Sequence, residues 1–138
     1  MANAESMHDF KIALLGIVFD PKTKRVLIGK RGKNSIPNAT WCFPGGRLNL
    51  NEDVNTAIKR RISEKTNLKV ENLGCVFTRV PQEQQNLLLA YFLCEFLGGE
   101  AKTGEKYKEL KWVRPEEVER YFNAPFEAPL KEYIISLK

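Results

Sequence analysis

Three charged residues four positions apart carry most of the chemical information in this chain. Arg61, Glu64 and Lys65 lie in a segment with helical apolar spacing. Each helical residue advances about 100°, so the three project from one side as neighbours at i, i+3 and i+4. Carboxylates on such a face would suit Mg²⁺, which prefers oxygen ligands and can neutralise a phosphate chain and activate water. Here the face reads plus, minus, plus. Even with Glu64 ionised it is net positive, and Glu64 can pair with either neighbour. A cation about 4 Å from a metal ion costs on the order of several kcal/mol even at an effective dielectric near 20. The same two cations would bind phosphate oxygens well, but they cannot take a proton from water at neutral pH.

The elements that must position this face are legible in outline. Residues 11–19 read as a buried strand, 20–24 as a turn set by Pro21, and 25–29 as the returning strand of a hairpin. Residues 32–40 form a polar loop, and 41–44 are extended and end at Gly45-Gly46. A helix is predicted over 54–66, capped by Asn51 or Asp53 and stopped by a left-handed Asn67. Val54, Ala57, Ile58 and Ile62 are its inward face. Then come a strand region 68–78 interrupted at Glu71-Asn72, a polar loop 80–85 and a long apolar strand 86–97. A short strand 109–113, a helix opening at Arg114-Pro115 and a final helix 127–137 complete the chain.

Residues 46–68 resemble the signature of the Nudix family, the Nudix box. Gly46, Glu52, Arg60, Ile62, Glu64 and Leu68 stand at its fixed positions. Arg61 stands where the box has its first metal-site glutamate, Lys65 where it has its last, and Asn67 where it has glycine. Gly29-Lys30-Arg31, the 41–46 segment and the 111–118 segment also resemble the family, so the likeness covers nearly the whole chain. It implies an α/β fold, an α/β/α sandwich around a mixed β-sheet, as one domain over 1–138 with a loose N-terminus at 1–9.

The resemblance also implies roles. Glu64, as the remaining box carboxylate of the metal set, is the candidate catalytic residue. Glu64 and the Gly45 carbonyl would hold Mg²⁺ or Mn²⁺. Glu52 and Arg60 would form a structural ion pair beside Gly46. Arg31 and Arg47 would flank the cleft and, with Arg61 and Lys65, contact substrate. Further acids for a metal could come from Glu83, Glu95, Glu100, Glu105 or Glu109. The implied activity is hydrolysis of a nucleoside diphosphate linked to another group, such as a nucleotide sugar. The alternative is a catalytically weak or silent protein that binds a phosphorylated nucleotide through Arg61 and Lys65. The G-K-R and G-G-R segments and the altered box are most similar to the GDP-mannose mannosyl hydrolases. The histidine base proposed for that subgroup is missing, since His8 is the single histidine and stands near the N-terminus.

Composition sets the remaining bounds. A hydrophobic fraction of 43% supports one packed core. The net charge of +5 suits a phosphate-rich ligand, and scattered basic residues give no nucleic-acid-binding tail. No apolar run reaches membrane-spanning length, and the first ten residues lack a signal-peptide pattern. A cytoplasmic protein with a nucleotide-type small-molecule ligand and no membrane partner is expected; monomer and homodimer are both compatible. Cys42, Cys75 and Cys94 are odd in number and lack CxxC spacing, against a zinc site or disulfide framework.

Overall fold

The computed structural model describes residues 10–32, 41–104, 106–122 and 126–138. His8, the N-terminal segment 1–9, Glu105 and most of the 32–40 loop lie outside those residues. Seven strands, β1 (Lys11–Asp20), β2 (Arg25–Arg31), β3 (Trp41–Cys42), β4 (Gly45–Arg47), β5 (Lys69–Arg79), β6 (Leu87–Gly98) and β7 (Tyr107–Val113), form one mixed sheet. Its main path runs β3-β2-β1-β6-β5, with β4 on β1 and β7 on β2. Among the described residues the helices are α1 (Val54–Thr66), a short α2 (Val118–Tyr121) entered through a 3-10 turn at Pro115–Glu117, and α3 (Ala128–Ile135).

β1 and β6 pair in parallel from Lys11↔Leu87 to Phe19↔Glu95. A parallel pair needs cover on both faces, and two apolar clusters supply it. On one face Leu14, Val18, Ala90, Phe92 and Cys94 pack against Ala57, Ile58 and Ile62 of α1. On the other, Ile17, Val26, Ile28 and Tyr91 meet Val118, Leu130 and Ile134 of the C-terminal helices. This is the expected α/β/α sandwich.

α1 has the predicted bounds. Asp53, rather than Asn51, caps it: its carboxylate accepts the Thr56 N–H at 2.9 Å and the Thr56 hydroxyl at 3.0 Å. Asn67 stops it at φ 66°, donating its N–H to the Ser63 carbonyl. Val54 departs from the predicted inward face: it is exposed, being the first residue of the helix, before the helix axis reaches the sheet. Thr66 is buried instead, its hydroxyl donating to the Ile62 carbonyl and accepting from Leu68 N–H.

The Thr56 hydrogen bonds hold the Asp53 carboxyl below its ordinary pKa. Its contribution is therefore complete above the unfolded carboxyl pKa and fades as pH falls through the lower folded value. Asp53→Ala is expected to lower Tm at neutral pH, with the gap to wild type narrowing on the acid side. A pH-independent gap in thermal melts would refute the charged cap.

Elsewhere β5 continues through Glu71-Asn72, where an interruption was predicted. The Asn72 side chain accepts the Gly74 N–H at 2.9 Å and the register shifts there, so the signal marked a bulge rather than an end. Gly45-Gly46, expected to end the extended 41–44 segment, instead opens a short strand, Gly45–Arg47. It pairs with Ala13, Leu14 and Leu15 while β2 pairs with β1 only at Phe19 and Asp20. β1 thus shares one edge between two partners.

Candidate functional site

The candidate site is built around Gly45. The Gly45 N–H donates to the Tyr107 hydroxyl at 3.3 Å. A Cβ on Gly45 would lie 1.9 Å from the Leu14 carbonyl oxygen, so only glycine lets β4 approach β1 this closely. Tyr107 in turn lies over Gly29, where a Cβ would come within 2.9 Å of its ring. The pairing of Gly46 with Leu14 holds the peptide that carries the Gly45 carbonyl, and the ammonium of Lys65 donates to that carbonyl.

Arg61 is anchored beside it. Its Nε donates to the Arg47 carbonyl at 3.2 Å, and its guanidinium lies 4.0 Å from Glu52 and 3.9 Å from Glu64. A Cβ on Gly46 would meet Arg61 Cδ at 2.9 Å and Lys65 Nζ at 3.0 Å, so both side chains rest on the bare glycine backbone. Arg60 pairs with Glu52, as predicted for the structural pair. Glu52 also accepts the Asn49 N–H at 2.9 Å, tying the approach loop to the helix.

The electrostatics are one-sided. Burial pushes the Lys65 ammonium below its ordinary pKa, and the charges of Lys106, Arg61 and Arg31 push the same way against a smaller opposing effect of Cys42. Arg31, Arg61, Lys65 and Lys106 therefore share one field, with Glu52 and Glu64 the acids paired to it. Glu64 is 53% exposed and, among the described residues, its ion pair is the long contact to Arg61. Burial also raises Tyr107 well above the usual phenol range, so its hydroxyl remains neutral.

Of the residues singled out from sequence, Gly45, Gly46, Glu52, Arg60, Arg61, Glu64 and Lys65 meet here, and Arg31 is close enough to act on Lys65. Arg47 joins through its backbone, with an exposed side chain. Lys106, Tyr107 and Cys42 were missed. The 109–113 strand prediction began too late because Lys106 and Lys108 flank Tyr107 and hide it in a polar run; β7 starts at Tyr107.

The donor set does not fit a divalent cation. The Gly45 carbonyl is taken by an ammonium, and Glu64 faces a guanidinium. Glu95 sits between Cys94 and Phe96, which pack in the α1-side cluster, so it points to the opposite face of the sheet. Glu83 acts on Arg79, and Glu109 on Lys111. Among the described residues no group of three or more His, Cys, Asp or Glu could hold a metal ion. Cys42, Cys75 and Cys94 are all free thiols.

Residues 9–134 match the family model for the NUDIX domain. The chain belongs to the Nudix family. Among curated Nudix-like relatives, it is 29% identical over 112 residues to an 8-oxo-dGTP diphosphatase of Buchnera aphidicola, covering 81% of this chain and 82% of that one. It is 31% identical over 104 residues to an ADP-ribose pyrophosphatase of Methanocaldococcus jannaschii, covering 73% of this chain. It spans 60% of that protein's length and 52% of a Streptomyces ambofaciens MutT-like protein's. The MutT protein structure from Methanosarcina mazei superposes with a TM-score of 0.74 at 18% identity, covering 93% of this chain and 92% of that one. In this Nudix domain no described helix is long and apolar enough to cross a membrane.

Proposed function

We propose that this Nudix domain takes a nucleoside diphosphate linked to another group, with the diphosphate against Arg31, Arg61, Lys65 and Lys106. The observation that carries this reading is that Lys65 donates to the Gly45 carbonyl and Arg61 rests on Gly46, with Lys106 and Arg31 near enough to act on Lys65 and the two acids already paired. Such a field in a partly desolvated cleft favours a polyanion. Arg47, at the rim, is a further contact. Nucleotide sugars come first among ligands, because the G-K-R and G-G-R segments resemble the mannosyl hydrolases, and a nucleotide-type ligand also accords with the printed activities of the relatives. Turnover in this cleft is slow or absent, because none of the four cations can serve as a base toward water at neutral pH.

The second reading is divalent-cation-dependent hydrolysis through Glu64; the relatives named diphosphatase and pyrophosphatase support a hydrolase. Glu64→Gln separates the two. On the first reading it removes a negative charge from the field, so nucleoside diphosphates bind more tightly and any turnover is unchanged. On the second it lowers turnover by at least about a hundredfold, as expected for loss of a key electrostatic group. A screen of nucleotide sugars, dinucleotides and nucleoside triphosphates with Mg²⁺ and Mn²⁺, read by calorimetry and product chromatography, makes the measurement.

A further inference from the structure

We propose that the ammonium of Lys65 stands in the place of a divalent cation at the Gly45 carbonyl, making the phosphate grip of this cleft independent of metal. The grip itself rests on the ligand class proposed above; the replacement at Gly45 does not.

Three features support the replacement. The Gly45 carbonyl is held in place because β4 pairs with β1 at Gly46↔Leu14 and Gly45↔Leu15, and the Gly45 Cα is pressed on the Leu14 carbonyl. Its donor is therefore chosen by what stands opposite, and that is Lys65. Arg61 is held in the same way on the Arg47 carbonyl. The Gly45 and Arg47 carbonyls are thus both occupied by cations of the chain itself. A divalent ion would have to displace one ammonium and lie beside a guanidinium, in a field to which Arg31 and Lys106 add.

The arrangement also leaves capacity for ligand. An ammonium has three N–H donors, and the Gly45 carbonyl uses one. The other two are available to phosphate oxygens. Lys65 would then bridge backbone carbonyl and phosphate, a bridging role open to any cation in that position.

The test uses Mn²⁺ alone and inorganic pyrophosphate, with the whole chain. By calorimetry, Arg61→Glu/Lys65→Glu should bind Mn²⁺ at least about tenfold more tightly than wild type, a difference of about 1.4 kcal/mol. In EDTA, Lys65→Met should weaken pyrophosphate at least about tenfold, while Lys65→Arg should keep most of the affinity. Lys65→Met deletes the ammonium and keeps the stem, so it guards against a double variant that fails to fold. Equal Mn²⁺ affinity in wild type and double variant would overturn the proposal. So would pyrophosphate binding to wild type only when Mg²⁺ is present. If Mn²⁺ affinity rises as expected but no nucleoside diphosphate binds wild type, the replacement stands and the ligand reading fails.

Discussion

Gly45→Ala is expected to destabilise the protein by about 3 kcal/mol or more, at the upper end of what overpacking costs. The added Cβ would lie 1.9 Å from a backbone oxygen of β1, and backbone cannot swing aside as a side chain tip can. β4 must instead peel from Leu14 and Leu15, losing its pairing and carrying the Gly45 carbonyl away from Lys65. Pyrophosphate affinity should fall with stability. Gly98→Ala is the control: nothing lies within 4 Å of a Cβ there, so its effect should remain within about 0.5 kcal/mol. Chemical denaturation of both variants decides the matter. A Gly45→Ala protein as stable as the control would mean that β4 does not need so close an approach.

Much of this fold could be read from residue patterns because its strongest signals are local. The α1 bounds follow from Asp53, Asn67 and the spacing of Ala57, Ile58 and Ile62, each of which acts within a turn or two of the helix. β1 and β6 announce themselves as apolar runs because both faces of a parallel pair are buried. β4 gave no such signal. It has three residues, two of them glycine, and becomes a strand only because the edge of β1 is free opposite it. Glu71-Asn72 suggested an interruption of β5 for a related reason, since a bulge and a terminus share the same residue types.

The site divides in the same manner. Charge order on α1 follows from sequence, and with it the net positive character of the face. The partners of those charges do not. Arg61 and Lys65 reach backbone carbonyls of Arg47 and Gly45, and backbone acceptors carry no sequence signature. Lys106 and Tyr107 arrive from a strand forty residues or more along the chain, aligned by pairing of β7 with β2 at Arg31. Glu64, the residue that the box singles out, is the most exposed member of the α1 charge cluster and the least constrained by it.

Stability and ligand grip should be separable at the contact between α1 and the sheet. Ile62 is fully buried, and its Cδ1 would lie 2.5 Å from a Cβ added to Gly16. Ile62→Ala should therefore cost about 2–5 kcal/mol, the range for emptying a core position. Gly16→Ala alone should cost about 1–3 kcal/mol through overpacking. Ile62→Val removes the one methyl group that stands in the way, so the new Cβ of Gly16→Ala/Ile62→Val fills the space it leaves. The double variant should then be more stable than Gly16→Ala, with a coupling energy of about 1 kcal/mol or more. Pyrophosphate affinity of the folded double variant should match wild type, because Arg61 and Lys65 are anchored on β4 carbonyls and not on Ile62. A double-mutant cycle by denaturant titration, with calorimetry on each folded variant, tests both halves. Additive free energies within about 0.5 kcal/mol would show that Gly16 and Ile62 do not share the space. A double variant that is stable yet grips pyrophosphate poorly would show that the cation face depends on how α1 seats against β1.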